Sequence, residues 1–324
     1  VRPLGDLDRR IAAALLRDGR ASWRRIAAVL GETERRIARH GAALLERGAV
    51  RIHAQGDPRN LPDGEATFLR VRGAPSALAA VGERMADHSR STWVSGLAGP
   101  AEVVGEYFHS RGELAGILDD CAQVRGVTDI DARPQLQFHR TVSGWAPPIL
   151  DADQLQALRE SEDSLLAGWD DYRSPDETTR ALIGLLARNG RATVEELASG
   201  LGLSKSTASR RLDAALARGQ VRIRAVVDPA LLGYPVETVV TVQAVPAALE
   251  QVGVAVAARA EARWVSSDGG LLYAQLANRD RTELHESLRA IAAHDGVRQV
   301  VASPVLRIFK RSTVRYRDGA PEPV

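Results

Sequence analysis

Residues 202–223 read "GLSKSTASRRLDAALARGQVRI", and residues 31–52 read "GETERRIARHGAALLERGAVRI". The two stretches align without a gap at an offset of 171 residues, with Gly31 on Gly202, Gly48 on Gly219 and Ile52 on Ile223. In each, a glycine closes one helical segment, Thr33 or Ser204 is placed to cap the next, and a second glycine precedes an alternating "VRI". What differs is the outward face. With Ile37 and Gly41 turned to the core, Arg35, Arg36 and Arg39 point outward, and the outward set of the second copy is Ser206, Thr207, Arg210 and Arg211. Gly41 stands mid-helix where the second copy has Leu212, at a propensity cost of about 1 kcal/mol.

The offset continues on both sides. "RDGRA" at 17–21 matches "RNGRA" at 188–192, Pro75 matches Pro246 and Trp93 matches Trp264. Beyond the tryptophans the offset is 170, as for Glu113/Glu283, Gly126/Gly296 and Pro134/Pro304. So long a constant offset reads as tandem duplication of a multi-domain unit. The expected organisation is a winged helix-turn-helix over 1–56, an αβ-sandwich over 57–143 and an acidic linker over 144–174. A second winged helix-turn-helix over 175–229, a second sandwich over 230–312 and a tail over 313–324 complete it.

The first part of each copy reads as three helices. Ile11, Leu15 and Leu16 recur at helical spacing, Ser22 caps a second helix that stops at Gly31, and Thr33 caps a third that stops at Gly48. In the second copy Thr193 with Glu196 forms a capping box, and Ser204 caps the third helix. Two helices joined by a glycine turn and followed by a hairpin make a winged helix-turn-helix, whose last helix enters a major groove. On that reading Arg35, Arg36, Arg39, Ser204, Ser206, Thr207, Arg210 and Arg211 serve bases or nearby phosphates, and Lys205, Arg51, Arg222 and Arg224 suit the phosphate backbone.

The second part of each copy alternates like a half-buried strand at Thr67–Val71 and Thr238–Val242. Helices open at Pro75 and Pro246, and two strands, a helix and a last strand from Val127 or Val297 follow. The order βαββαβ is ferredoxin-like. Its helices cover one face of the sheet, so the other face needs a partner sheet, which the second copy can supply within the same chain. The expected fold class is therefore α+β, two winged helix-turn-helix domains alternating with two ferredoxin-like domains. Cys121 falls on a core position and reads as packing.

Charge is segregated along the 324 residues. Net charge is +6 over 1–56, −3 over 57–143, −5 over 144–174, +3 over 175–229 and +1 over the remainder. Two basic segments separated by acidic ones are the footprint of two modules that face a polyanion. A single cysteine and seven scattered histidines argue against a disulfide framework and a Cys-rich zinc site. No apolar run approaches membrane-spanning length and no signal-peptide pattern opens the chain, so a cytoplasmic protein with no cofactor and no membrane partner is expected.

The stretches "LDRRIAAALLRDGRAS", "RNGRATVEELASGLGLSKSTASRRL", "VRIRAVVDPALLGY", "WVSG", "WVSSDGG" and "LRAIAAHDGVRQVVASPVL" together resemble the Lrp/AsnC (feast/famine) family of transcription regulators, in a tandem-duplicated form. The resemblance implies double-stranded DNA as partner, a small effector, usually an amino acid, and self-association through the sheets of its RAM-type sandwich domains. The family's effector turn maps onto Ser95, Gly96, Leu97 and Ala98 in the first copy and Ser266, Ser267, Asp268 and Gly269 in the second. Exposed amides of such turns hold a carboxylate, and Asp268 offers an acceptor for an ammonium group. His40 occupies the position where the family usually has arginine, which Arg211 keeps. Two alternatives stand beside this reading: a metabolite-sensing interaction protein that does not bind DNA, and an enzyme resembling the siroheme decarboxylases, which share the fold. The decarboxylase resemblance calls for a histidine after the middle strands, and neither "RWVSSDGGLLYAQL" nor "TWVSGLAGPAEVVGEYF" carries one there.

Overall fold

The computed structural model describes residues 2–55, 57–61, 63–99, 101–158, 173–317 and 320–322. The chain divides into two compact units, Val1–Asn60 with Ser143–Gly233, and Leu61–Val142 with Tyr234–Val324. Each unit draws on both halves of the sequence, so like segments group with like.

The first unit is built on helices α1 (Asp6–Arg17), α2 (Trp23–Leu30) and α3 (Glu34–Glu46) and on their counterparts α7 (Glu177–Arg188), α8 (Val194–Leu201) and α9 (Lys205–Ala217). The capping residues work as read. Ser22, Thr33, Thr193 and Ser204 each accept a backbone N–H of the first turn, and Gly31 and Gly202 close α2 and α8 in the left-handed region, at φ 68° and 64°. Ile11, Leu15, Ile26, Ile37 and Leu44 are buried on one side, and Leu182, Leu186, Leu197 and Leu212 on the other.

One expectation is corrected here. The "VRI" stretches do not form separate wing hairpins. Strand β1 (Val50–Gln55) pairs antiparallel with β7 (Arg222–Val227), one strand from each copy. The exchange reaches the cores: β1 packs on α7 and β7 on α1, and Ala54 belongs to the apolar cluster of Leu182, Leu186, Leu197 and Leu212. A lone strand leaves a row of unpaired backbone groups, and its counterpart is the partner already held in the chain. His53 pairs with Arg224, its own equivalent at the offset of 171, so the ribbon is two-fold symmetric about that pair.

Gly41 also finds its explanation. Trp23 of α2 lies over it, and a Cβ at 41 would stand 2.5 Å from the indole. The second copy has Val194 and Leu212 at these two positions, so a large–small pair in one copy replaces an intermediate pair in the other.

The segment between the copies begins on the first helical set. Helix α6 (Ala152–Ala157), inside the expected acidic linker, is capped by Asp151 in a capping box with Gln154. Arg25 donates to Ala157 O at 2.8 and 3.1 Å, Gln154 donates to Val29 O, and Leu158 is fully buried. The rest of the expected acidic linker, 159–172, lies outside the described residues, as do 318–319 and 323–324 of the expected tail.

The second unit holds two βαββαβ sets. The first is β2 (Gly64–Gly73), α4 (Leu78–Asp87), β3 (Ser91–Leu97), β4 (Glu102–Ser110), α5 (Leu114–Ala122) and β5 (Val127–Pro134). The second is β8 (Val236–Ala244), α10 (Leu249–Ala257), β9 (Ala262–Ser267), β10 (Leu271–Asn278), α11 (Arg281–Ala292) and the long β11 (Val297–Arg311). Nine strands run in the order β5-β2-β4-β3-β11-β8-β10-β9-β6, where β6 is Gln137–Arg140. Each set thus has the ferredoxin-like order, last-first-third-second. The last strand of each continues past its own sheet, so that β6 pairs with β9 and the end of β11 pairs with β3. Segment 313–324, expected as a tail, contributes β12 (Val314–Arg317), which folds back on the end of β11.

The sheet faces that lack helices meet each other. Phe68, Trp93, Leu97 and Val104 pack with Val239, Trp264 and Tyr273, with Phe68 stacked on Tyr273 at 4.4 Å between ring centroids. Trp264 Nε1 donates to Glu106 Oε1 at 3.0 Å, and Thr92 Oγ1 donates to Glu106 Oε2 at 2.6 Å, which satisfies a buried carboxylate. Glu237 sits between Arg263 and Arg311, at 2.7 Å from each. Cys121 lies in the core of the first set, as its sequence position indicates.

Candidate nucleic-acid interface

The outward residues of the third helices separate by what already holds them. On α3, Arg35 and Arg39 are exposed, and their side chains have no hydrogen bond or ion pair to another described residue. Arg36 is chelated by Glu32, one turn back, at 2.9 Å to both oxygens. On α9, Arg210 is exposed and unpaired among the described residues, and Lys205 makes an exposed pair with Glu195 at 2.9 Å. Ser204, Ser206 and Thr207 form a hydroxyl cluster at the helix start, in which the Ser204 hydroxyl lies 3.0 and 2.9 Å from the other two. The Ser204 hydroxyl also accepts the Thr207 N–H of the first turn at 3.2 Å, and the three residues stay exposed or half-exposed at the tip of α9.

Arg211 has a different task. Its guanidinium bonds both oxygens of Asp176, the N-cap of α7, at 3.0 and 2.8 Å. Bonds from Arg211 and Thr179 hold the Asp176 carboxyl well below the usual carboxylate range. In the first copy His40 takes this place and meets Asp8 at 2.7 Å, with Arg47 on the other oxygen at 3.1 Å. The Arg-to-His difference between the copies therefore falls at a clamp from the third helix to the first. Of the strand arginines, Arg51 and Arg222 are half-buried on the ribbon shared by the two copies. At the ribbon's centre Arg224, expected to serve the phosphate backbone, is instead buried opposite His53, and His53 is held neutral, its pKa lowered to about 3 by burial and then by Arg224 and Arg51.

The proposed effector turns are shorter than the sequence indicates. Ser95, Gly96 and Leu97 are buried in β3, and Ser266 and Ser267 are buried in β9, so they do not line an open turn. The continued strands cover them: Gly96 pairs with Arg307, Ser95 with Ile308, Ser267 with Gln137 and Ser266 with Phe138. That pairing follows from the extension of β11 and β6, which the repeat pattern does not reveal. Ala98, Asp268 and Gly269 remain at the turns, Ala98 and Asp268 half-exposed and Gly269 exposed. Asp268 accepts N–H bonds from Gly270 and Leu271 at 2.8 and 2.7 Å and an O–H bond from Tyr273 at 2.9 Å, so its carboxylate is committed to its own hairpin. His139 of β6 lies 3.2 Å from Ser267 Oγ.

Sequence reasoning overlooked two arginines. Arg20 donates to Gly190 O at 2.6 Å and Ala192 O at 3.1 Å, and Arg191 donates to Gly19 O at 2.9 Å and to Ala21 O at 3.1 and 3.2 Å. Their signal was present in the repeat: "RDGRA" and "RNGRA" keep an arginine after the glycine in both copies.

Comparison with known proteins agrees with this geometry in part. Residues 175–222 match the model of the winged helix-turn-helix DNA-binding family. These residues hold α7, α8, α9 and the start of β7, so the chain contains a helix-turn-helix of that type. An uncharacterized HTH-type transcriptional regulator of Pyrococcus abyssi is 27% identical over 139 residues, which is 42% of this chain and 88% of that protein. Over nearly the whole length the fold is similar to that of the siroheme decarboxylase NirDL, with a TM-score of 0.60 at 14% identity, covering 96% of this chain and 94% of that one. A second structure of NirDL, in co-complex with an iron-uroporphyrin III analogue, gives a TM-score of 0.58 at 16% identity, covering 90% and 87%. Among the described residues no helix is long and apolar enough to cross a membrane, and no group of three or more His, Cys, Asp or Glu is placed to hold a metal ion.

Proposed function

We propose that this protein is a sequence-specific DNA-binding transcriptional regulator of the Lrp/AsnC type, with two winged-helix readers and two ferredoxin-like sandwich domains in one chain. The observation that carries the reading is the helix-turn-helix match over 175–222, on whose third helix Arg210 is exposed and unpaired among the described residues. Arg210 and, on the other copy, Arg35 and Arg39 are the base-reading candidates. Ser206 and Thr207 reach bases or phosphates, and Lys205 and Arg36 exchange an exposed carboxylate for a phosphate at little cost, because exposed pairs of this kind are worth about 0–1 kcal/mol. Ser204 and Arg211 support the reader from beneath. Arg51 and Arg222 approach the backbone from the ribbon. A small effector, an amino acid, binds beside the hairpin tips at Ala98 and at Asp268–Gly269, where self-association of the sandwich domains brings a second surface over them, and biases the oligomer equilibrium.

Binding of the purified protein to a selected duplex, measured by fluorescence anisotropy across a salt series, tests the proposal. Affinity should fall with log salt at a slope of about −0.9 for each neutralised phosphate, and Arg210→Ala should cost about 1–3 kcal/mol on the specific duplex and little on a scrambled one. Absence of salt-sensitive binding to any duplex would defeat it.

The likeness of fold to NirDL over 96% of the chain favours a second reading, an enzyme acting on a tetrapyrrole. Titration with an iron tetrapyrrole, followed by the Soret band and by loss of carboxylate groups in the product, decides it. A stoichiometric spectral shift with turnover supports the enzyme, and an unchanged spectrum removes it.

A further inference from the structure

The two readers share one body, and the elements that join them are specific. Each strand of the β1–β7 ribbon lies on the first helix of the other copy, and Gly190 N donates to Ile52 O at 2.9 Å. Above the ribbon the two α-helix turns face each other, and each sends an arginine into the carbonyl groups of the opposite turn. Arg20 takes Gly190 O and Ala192 O, and Arg191 takes Gly19 O and Ala21 O. The pair is reciprocal under the same two-fold relation that passes through His53 and Arg224. Gly19 and Gly190 permit the approach, since a Cβ on Gly190 would stand 2.8 Å from His53 N and one on Gly19 would stand 3.2 Å from Ile52.

Two guanidinium groups lie close to one another in this place, and burial and Arg20 together lower the pKa of Arg191. The carbonyl oxygens offset that cost, each accepting a charge-assisted bond. Trp23 adds a second hold, with Arg191 over its ring at 4.4 Å from the centroid. Trp23 itself is seated on Gly41 of α3. A chain of contacts therefore runs from the reader helix of the first copy through Trp23 to Arg191 of the second.

We infer that Arg20 and Arg191 form a reciprocal clasp, acting as positioning residues that fix α3 and α9 at one separation, so that the protein recognises a bipartite DNA site of a single half-site spacing. The inference rests on the proposed DNA-binding function and deepens it. Two-fold related readers match the two-fold symmetry of a duplex only at the spacing their body dictates. Because the two helices carry different residues, the halves of the site differ in sequence while their spacing is constant. A ligand of the sandwich domains then acts on affinity or assembly and leaves this spacing unchanged.

Two measurements on the full chain test the clasp. In the first, spin labels on Ala42→Cys and Asp213→Cys, equivalent exposed positions of α3 and α9, report their separation without DNA, in a Cys121→Ser background. One narrow distance distribution is expected, broadened by Arg20→Ala/Arg191→Ala and by the milder Arg191→Lys, which keeps the charge and loses the fork. In the second, a duplex selected by the wild-type protein is varied in spacer length. A change of a few base pairs should weaken wild-type binding about 100-fold, as expected when two linked sites can no longer engage together, and the clasp variants should reduce that penalty to about threefold. A broad distribution in the wild type, or one equally narrow in the clasp variants, overturns the inference. So does a spacing penalty that the variants leave intact. Failure of the wild type to bind any duplex overturns the DNA reading, while the spin-label result still decides whether the clasp fixes the helices.

Discussion

Gly41→Leu should destabilise the first reader even though it removes a glycine from the middle of a helix. Propensity alone favours the change by about 1 kcal/mol. Against this, a Cβ at 41 would lie 2.5 and 2.6 Å from Trp23 Cζ3 and Cη2, well inside van der Waals contact, so the indole must leave its seat. Overpacking of this kind costs about 1–3 kcal/mol, and loss of the Arg191 contact at 4.4 Å adds about 0.5–1 kcal/mol. The net expectation is a loss of about 0.5–3 kcal/mol. Trp23→Val alone leaves a void over Gly41 and should cost about 2–3 kcal/mol. The double variant copies the Val194/Leu212 pair of the second copy and should recover most of the loss in packing, giving a coupling of about 2 kcal/mol between the sites. Urea unfolding followed by far-ultraviolet circular dichroism gives the ranking. Hydrogen exchange of the α3 amides localises it, which matters because a multi-domain chain need not unfold in one step. The reasoning is refuted if Gly41→Leu is neutral, or if the double variant is no more stable than the weaker single one.

Three further outcomes are expected. His53 stays neutral in the folded protein down to about pH 3, whereas in the unfolded chain it binds a proton below about pH 6.5. Stability should therefore fall as pH drops from about 6.5 towards 3, by up to about 1.4 kcal/mol per pH unit from this residue, and a His53→Gln comparison in acid unfolding should show a shallower slope; an identical slope would rule the residue out. Glu237→Gln leaves Arg263 and Arg311, whose side chains are 3% and 5% exposed, without their counter-charge. It should cost about 3–5 kcal/mol, read as a lowered melting temperature of the sandwich unit, and a drop of under 1 kcal/mol would show that the arginines find other partners. Burial, reinforced by Asp120, pushes the Cys121 thiol up to about 11. It should resist alkylation at pH 8 until the protein unfolds, and rapid labelling seen by mass spectrometry would contradict that placement.

Much of the local structure was legible because its causes are local. Ser22, Thr33, Thr193 and Ser204 announced four helix starts, Gly31 and Gly202 announced two stops, and alternation at Thr67–Val71 and Thr238–Val242 announced two strands. The outward setting of Arg35, Arg39 and Arg210 followed from helical periodicity. Arg211 illustrates the limit. It was read as outward, yet its side chain is half-buried and turned to Asp176, a partner 35 residues away that periodicity cannot reveal. The effector turns illustrate another. Ser95–Leu97 and Ser266–Ser267 sit where the turn motif places them in sequence, yet strands that arrive from the opposite copy cover them.

By itself the sequence determined the elements, their order within each copy and the chemistry on the surface of each third helix. Those features depend on residues a few positions apart, and caps, glycine stops and apolar spacing record them directly. Only the tertiary structure decided which copy each strand serves. The pattern of β1 is the same whether it closes its own wing or lies against β7, and β11 shows no break where it passes from β8 to β3. With two copies of each element at hand, the choice turns on reach and on packing across the two-fold relation. No short window of sequence contains that information.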